Sequence, residues 1–183
     1  MNESARAPEG QPLVNDGVGV LVRGDACIIV YQKPARINRT RWLFDVVDAV
    51  LAETNFDIVG FLIVLPTADP PDRPTRDENV RRLRKISHRV RRLVTTPIGN
   101  AFKVSLVRTV MRGLNILLGH SDSRFVTDTV PEGLAHLVAV KSARTPSPEQ
   151  ILADISAVYV ALGEPEPKFP NTRPGHGPSV VPR

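Results

Sequence analysis

The amino-acid sequence predicts an α/β fold: a single domain with a mostly parallel sheet and an antiparallel hairpin at its start. Residues 18–23 and 26–32 are β-rich segments separated by Gly24-Asp25, which indicates the hairpin. Residues 57–65 (DIVGFLIVL) are apolar after the first position, which is typical of a central parallel strand buried on both faces. Elsewhere apolar residues recur at helical intervals, so strands and helices alternate.

The helical segments complete the order of elements. In residues 38–55, Leu43, Val46 and Val47 recur at helical spacing while acidic residues take the other face. The same reasoning predicts a basic helix that includes 81–92, further helices over 101–118, 130–140 and 147–162, and short strands over 93–98 and 124–129. The predicted order is β-β-α-β-α-β-α-β-α with an additional C-terminal helix, and the helices should cover the faces of the sheet.

Both ends of the chain are predicted to be disordered tails. Residues 1–16 are polar, and residues 164–183 contain six prolines and two glycines. The compact domain is therefore predicted over residues 17–163. No segment has the ~18 uninterrupted apolar residues of a membrane span. The first residues also lack the apolar stretch of a signal peptide, so we expect a cytoplasmic protein.

The predicted elements follow one another in a recognisable order. They are the hairpin, the buried strand 57–65, the loop and helix after it, and the strand-helix VTTPIGNAFKVSLVRTVMRGL (94–114). Over roughly residues 17–140 this order resembles the STAS domain of bacterial anti-sigma-factor antagonists, and a SEC14-like sheet would have a similar pattern. The resemblance implies a regulatory protein of the bacterial cytoplasm. It also implies binding of a protein partner, or in some members of a nucleotide or another small ligand.

In the antagonist branch of that family, a serine that follows an aspartate at the start of the second helix is phosphorylated. The corresponding stretch here, LPTADPPDRPTRDEN (65–79), contains no Asp-Ser pair and is rich in proline. Its hydroxyl groups belong to Thr67 and Thr75, which are the candidate phosphorylation sites. The alternative for Thr75 is a structural role as the N-cap of the basic helix, which Asp77 could also cap.

The segment RRLRKISHRVRR (81–92) carries seven positive charges and no carboxylate. Its cations are Arg81, Arg82, Arg84, Lys85, Arg89, Arg91 and Arg92. Like charges three or four residues apart on a helix repel one another by a few tenths of a kcal/mol per pair, which predicts a counter-charge outside the helix. Arginine outnumbers lysine six to one, and its planar guanidinium suits bidentate pairing with carboxylates. We therefore expect these seven residues to bind an acidic protein partner or a second copy of the chain.

Three other interpretations of the basic segment remain open at this point. It could be a solvated helix face, a nucleic-acid site or a membrane-surface site. Nucleic acid is the less favoured ligand because the segment has no aromatic side chain on which bases could stack. A membrane-surface helix would carry Trp, Phe or Leu beside the charges, whereas the apolar stripe here is committed to the core.

Two further segments have a structural and a functional interpretation. The helix 101–118 is apolar around much of its circumference, so it is either buried by the sheet and the helix 147–162 or partly an interface. The turn TTPIGN (95–100) could hold a small anion at a helix N-terminus. The alternative is an ordinary strand-to-helix turn with Asn100 as the cap.

Known catalytic patterns do not occur in the sequence. The four histidines have no ligand-like spacing, and a single cysteine, Cys27, excludes a multi-cysteine metal site. We expect no enzyme, no metal and no cofactor. The sequence predicts a non-enzymatic regulatory or scaffolding module that docks a protein partner through the loop and helix 66–92. The alternative is an anion-binding or nucleic-acid-binding protein that uses the same basic segment.

Overall fold

The structure is a computed structural model that describes residues 8–119 and 123–169. These residues form a six-stranded mixed sheet with five α-helices. The strands are β1 (Leu13–Asn15), β2 (Val18–Arg23), β3 (Ala26–Tyr31), β4 (Ile58–Val64), β5 (Val90–Pro97) and β6 (Arg124–Val126). The helices are α1 (Ile37–Glu53), α2 (Arg73–Ile86), α3 (Ala101–Leu118), α4 (Val130–Val138) and α5 (Pro148–Ala161).

The strands lie side by side in the order in which they occur along the chain. β1, β2 and β3 are antiparallel, and β3, β4, β5 and β6 are parallel. The predicted α/β class and the antiparallel hairpin of β2 and β3 are thereby confirmed. Within the described residues, no helix is long and apolar enough to cross a membrane.

The predicted order of elements lacks one strand, β1. The predicted disordered tail over residues 1–16 is wrong for Leu13–Asn15, which pair with β2. Asp16 and Gly17 turn the chain with positive φ angles of 42° and 80°, the backbone that a two-residue hairpin requires. Asp-Gly is a strong hairpin signal, so the residues themselves indicate this turn. The predicted tail over 164–183 is described only to residue 169, and residues 164–169 contain no helix or strand.

The basic segment does not form one continuous helix as predicted. α2 begins at Arg73, where the side chain of Asp72 accepts a hydrogen bond of 3.0 Å from the backbone N–H of Thr75. Asp72 is therefore the N-cap, and the prediction that Thr75 or Asp77 caps the helix is wrong. A proline is tolerated in the first turn, which lets the helix start inside the proline-rich stretch.

α2 also ends earlier than predicted. It stops at Ile86, residues Ser87–Arg89 form a single 3₁₀ turn, and β5 starts at Val90. Pairing with β4 draws this end of the segment into the sheet, with Ile58 opposite Val90 and Val59 opposite Arg92. Arg91 is the extra residue of a bulge in this ladder.

The helices cover both faces of the sheet. α1, α2 and α3 lie on one face, where β2 and β3 contribute the alternate residues Val20, Cys27 and Ile29. α4 and α5 lie on the opposite face over Ile28, Phe61 and Ile63. The prediction that the helix 147–162 buries the helix 101–118 is wrong, because α5 and α3 are separated by the sheet.

α4 approaches the sheet closely at Gly133. A Cβ atom at this position would lie 2.7 Å from the ring of Phe61, whose side chain is 1% exposed. By contrast, a Cβ at Gly113 in α3 would meet no atom within 4 Å. The contact at Gly133 fixes the distance between α4 and β4.

We predict opposite effects for the same substitution at these two glycines. Gly133→Ala should lower the free energy of unfolding by about 1–3 kcal/mol, because overpacking against Phe61 outweighs the gain in helix propensity. Gly113→Ala should raise it by about 0.5–1 kcal/mol through helix propensity alone. Urea denaturation of both variants measures this, and equal stabilisation by both would contradict the close approach of α4.

Candidate functional site

The seven predicted partner-binding cations fall into two groups with different surroundings. Arg81, Arg82, Arg84 and Lys85 lie on α2, where Arg82 is half-buried and the other three are exposed. Arg89, in the 3₁₀ turn, and Arg91 and Arg92, on β5, are all half-buried. The predicted set therefore does not form one continuous helical surface.

The α2 cations face carboxylates of the same chain. Arg82 donates to Asp45 at 2.9 Å and to Asp48 at 3.0 Å, both on α1. It also reaches Glu78 at 3.3 Å on its own helix. Lys85 Nζ lies 3.5 Å from Asp48. The acidic face of α1 thus supplies much of the counter-charge that the basic segment required.

Arg89, Arg91 and Arg92 contact loops and helices around the sheet. Arg89 donates to the backbone oxygen of Phe56 at 2.8 Å and to Asp57 at 3.1 Å. Arg91 pairs with the buried Asp25 and donates to the carbonyl oxygen of Val140 at 2.6 Å. Arg92 donates to the carbonyl oxygen of His136 at 2.9 Å and lies over the ring of Phe125 at 4.6 Å. These interactions connect β5 to its neighbours, so each of the three has a structural role.

Glu78 is the centre of the charge network on α2. Its side chain is buried and receives two hydrogen bonds from Arg81, at 2.6 and 2.9 Å. The hydrogen bonds from Arg81, together with one from Arg82 and the charge of Arg41, lower the pKa of Glu78 from 4.5 to about 2. The carboxylate is therefore ionised throughout the neutral range and holds two of the α2 arginines in place.

α3 exposes an apolar row on the side away from the sheet. Phe102 is 76% exposed, Leu106 is 38% exposed and Ile116 is 81% exposed. Thr109 and Gly113 lie between them and are also exposed. The spacing of four, three, four and three residues places all five on one face of the helix. We call this face, formed by Phe102, Leu106, Thr109, Gly113 and Ile116, the outer row of α3.

The charged residues of α3 itself have one sign. α3 contains three cations and no acidic residue. Lys103 pairs with Asp69 at 3.6 Å, Arg108 pairs with Asp128, and Arg112 is exposed. α2 packs against α3, so the exposed cations of α2 lie on the helix next to α3. α3 thus presents an apolar row next to three cations of the same helix, two of which pair with Asp69 and Asp128.

The two candidate phosphorylation sites differ in accessibility. Thr67 is exposed, and its hydroxyl donates to the backbone oxygen of Gln32. Thr75 is completely buried in the first turn of α2. A kinase could reach Thr75 only after the start of α2 had opened, so Thr67 is the accessible hydroxyl of the pair.

The turn of residues 95–100 has the structural features of an ordinary helix start. Asn100 caps α3 by accepting a hydrogen bond of 3.0 Å from the N–H of Lys103. Thr95 and Thr96 are buried, and the hydroxyl of Thr96 lies 2.7 Å from that of Thr127. The hydroxyls that could have bound an anion therefore lie inside the domain. Among the described residues, no group of three or more His, Cys, Asp or Glu side chains could hold a metal ion.

Compared with known proteins, the chain matches no protein-family model, no curated protein and no solved structure. The function proposed below therefore depends on the sequence and on the geometry of the chain itself.

We predict that the Glu78 network makes the domain sensitive to acid. Because the pKa of Glu78 is lower in the folded state, its contribution is complete above pH 4.5 and is lost as the pH falls toward 2. Glu78→Gln should cost about 1 kcal/mol of unfolding free energy at pH 7. It should also make stability depend less on pH between 4.5 and 2.5. Denaturation at a series of pH values tests this, with Asp77→Asn on the exposed side of α2 as the control. An unchanged acid dependence in Glu78→Gln would refute the role given to this residue.

Proposed function

We propose that the chain is a non-enzymatic regulatory module of STAS-like type that acts in the cytoplasm by docking an acidic protein partner. The docking surface consists of the outer row of α3 and the exposed cations Arg81, Arg84 and Lys85 of the adjacent α2. This revises the surface expected from sequence by making α3, rather than the loop and helix 66–92, the main contact. The observation that carries the proposal is the exposure of Phe102, Leu106 and Ile116.

The outer row supports docking because three of its members, Phe102, Leu106 and Ile116, are large, apolar and exposed on one face of a helix. Single exposed apolar residues are common on protein surfaces, whereas a contiguous row is typical of an interaction site. The small residues Thr109 and Gly113 at the middle of the row leave room for side chains of a partner. The spacing of the row suits a partner helix that carries apolar residues at similar intervals.

The charges favour an acidic partner over a neutral one. Arg81, Arg84, Lys85 and Arg112 are exposed on α2 and α3, and α3 has no acidic residue. Carboxylates around an apolar stripe on the partner would match this arrangement and speed association. The nucleic-acid alternative is weaker because the basic segment has no aromatic side chain on which bases could stack.

The test starts with capture of partners from a nuclease-treated native lysate, followed by purification of the captured protein and measurement of its Kd by calorimetry. The double variant Phe102→Asp, Leu106→Asp should weaken binding at least about tenfold, which is the usual effect of losing a central apolar contact. Arg112→Glu, at an exposed position of α3, should weaken it further, mainly through slower association. Val160→Asp is the matched control, because Val160 is 62% exposed on α5, on the opposite face of the sheet.

Three results would contradict the proposal. Equal binding by the α3 variant and the Val160 control would exclude the outer row. Capture that disappears with nuclease, together with a steep loss of affinity for duplex DNA between 50 and 200 mM salt, would assign the basic segment to nucleic acid. A concentration-dependent dimer by light scattering, abolished by Phe102→Asp, would show that the outer row binds a second copy of the chain instead.

A further inference from the structure

The two faces of the central strand β4 are covered unequally. On the side of α4 and α5, Val59, Phe61 and Ile63 are at most 1% exposed. On the side of α1, α2 and α3, Leu62 and Val64, in the second half of the same strand, are only half-buried. A central parallel strand is normally buried on both faces. The helices on this side therefore leave part of the sheet uncovered.

The uncovered part of the sheet forms the floor of a cavity of about 140 Å³. Leu62 and Val64 of β4 line its floor, Leu83 of α2 lines one wall, and Val110 and Met111 of α3 line the other. Val110 and Met111 are half-buried, so the inner side of α3 does not contact the sheet closely. The cavity lies on the opposite side of α3 from the outer row.

The cavity reaches solvent at the end where the loop before α2 lies. Asp69 is the exposed member of the cavity lining. Pro70 and Pro71, which follow it in the loop, and Asn79, on α2, are half-buried. Asp69 and Asn79 supply the polar groups of the lining at this end. The deeper lining is aliphatic or aromatic, and its polar groups are the Cys27 thiol and the Tyr31 hydroxyl.

The interior of the cavity carries no charge. Burial raises the pKa of the Cys27 thiol and of the Tyr31 hydroxyl, each to about 12. Both groups are therefore neutral over the whole physiological range. An ionised group would lose its hydration inside this cavity without gaining a counter-charge.

From the cavity and its apolar lining we infer a binding site for a small uncharged hydrocarbon group of about six carbon atoms, with any polar end directed toward Asp69 and Asn79. A dry apolar cavity of about 150 Å³ lined by aliphatic and aromatic side chains is large enough to bind benzene or xenon. The cavity under α3 has nearly this volume. Water is a poor occupant, because the deeper lining offers too few polar partners for it. This site is separate from the proposed docking surface and does not depend on it.

Benzene titration followed through the Met111 methyl group tests the inference. The chain has two methionines, Met1 and Met111, so a chain labelled with ¹³C at the methionine methyls gives a simple spectrum, assigned with Met111→Leu. Benzene should shift the Met111 signal and saturate, because Met111 lines the cavity. A shift that grows linearly up to the solubility of benzene would show the absence of a site.

Two matched Val→Phe variants make the test specific to the cavity. Val110→Phe places a ring inside the cavity and should abolish saturable binding, with at least a tenfold rise in Kd. Val160→Phe adds the same ring at the exposed position of α5 and should leave the Kd unchanged. Saturation in Val110→Phe equal to that of the wild type would overturn the inference. If Val110→Phe does not fold, Ala68→Leu fills the cavity from the loop side and replaces it in the same comparison.

Discussion

The fold depends on one topological constraint, the sequential order of the parallel strands β3, β4, β5 and β6. Crossover connections between parallel strands are right-handed, so a sheet extended always in one direction receives its crossover helices on one face. α1, α2 and α3 therefore share a face, and the apolar opposite side of β4 would be left in water. α4 and α5 solve this problem, because they follow the last strand and are free to fold back across the other face.

The same constraint determines how α3 is exposed. α2 lies between α1 and α3, so α3, the last crossover helix, packs against one helix only among the described residues. Its partner strand β6 has three residues, which gives it little sheet to cover. An apolar helix in this position keeps both an exposed outer row and a loosely seated inner side. Both features of α3 thus follow from its place at the end of the series.

Patterns within single segments predict most of the elements, whereas contacts between distant segments cannot be predicted in this way. The apolar run of β4 and the helical spacing of α1 are sufficient to identify both elements from the amino-acid sequence. The strand β1 is also within reach, because Asp16-Gly17 indicates its turn. The early end of α2 cannot be predicted from the sequence, since Val90 and Arg91 join the sheet only when β4 is beside them.

The candidate site shows the same limit in its electrostatics. The charge repulsion within residues 81–92 predicts a counter-charge, which we expect on a partner, whereas Glu78 of α2 and two aspartates of α1 supply part of it within the chain. The position of the two aspartates on α1, 34 to 37 residues earlier, depends on the side-by-side packing of two crossover helices. Asp45 and Asp48 stand three residues apart, on the side of α1 that faces Arg82. The charges of adjacent crossover helices should therefore be added together before a basic run is assigned to an external partner.

The two proposed sites use opposite sides of the helix α3, and they would be coupled if a ligand in the cavity changed the affinity of the helix for a partner. Leu106 and Thr109 belong to the outer row, whereas Val107 and Val110 line the cavity on the inner side. A hydrocarbon group that fills the cavity supports the inner side of α3 and restricts its motion against the sheet. If a partner binds the supported helix better, the ligand must bind the partner complex better by the same factor, because the coupling free energy is reciprocal. The position of α3 at the end of the series would then give the domain a means of regulation, through the helix that is proposed to dock the partner.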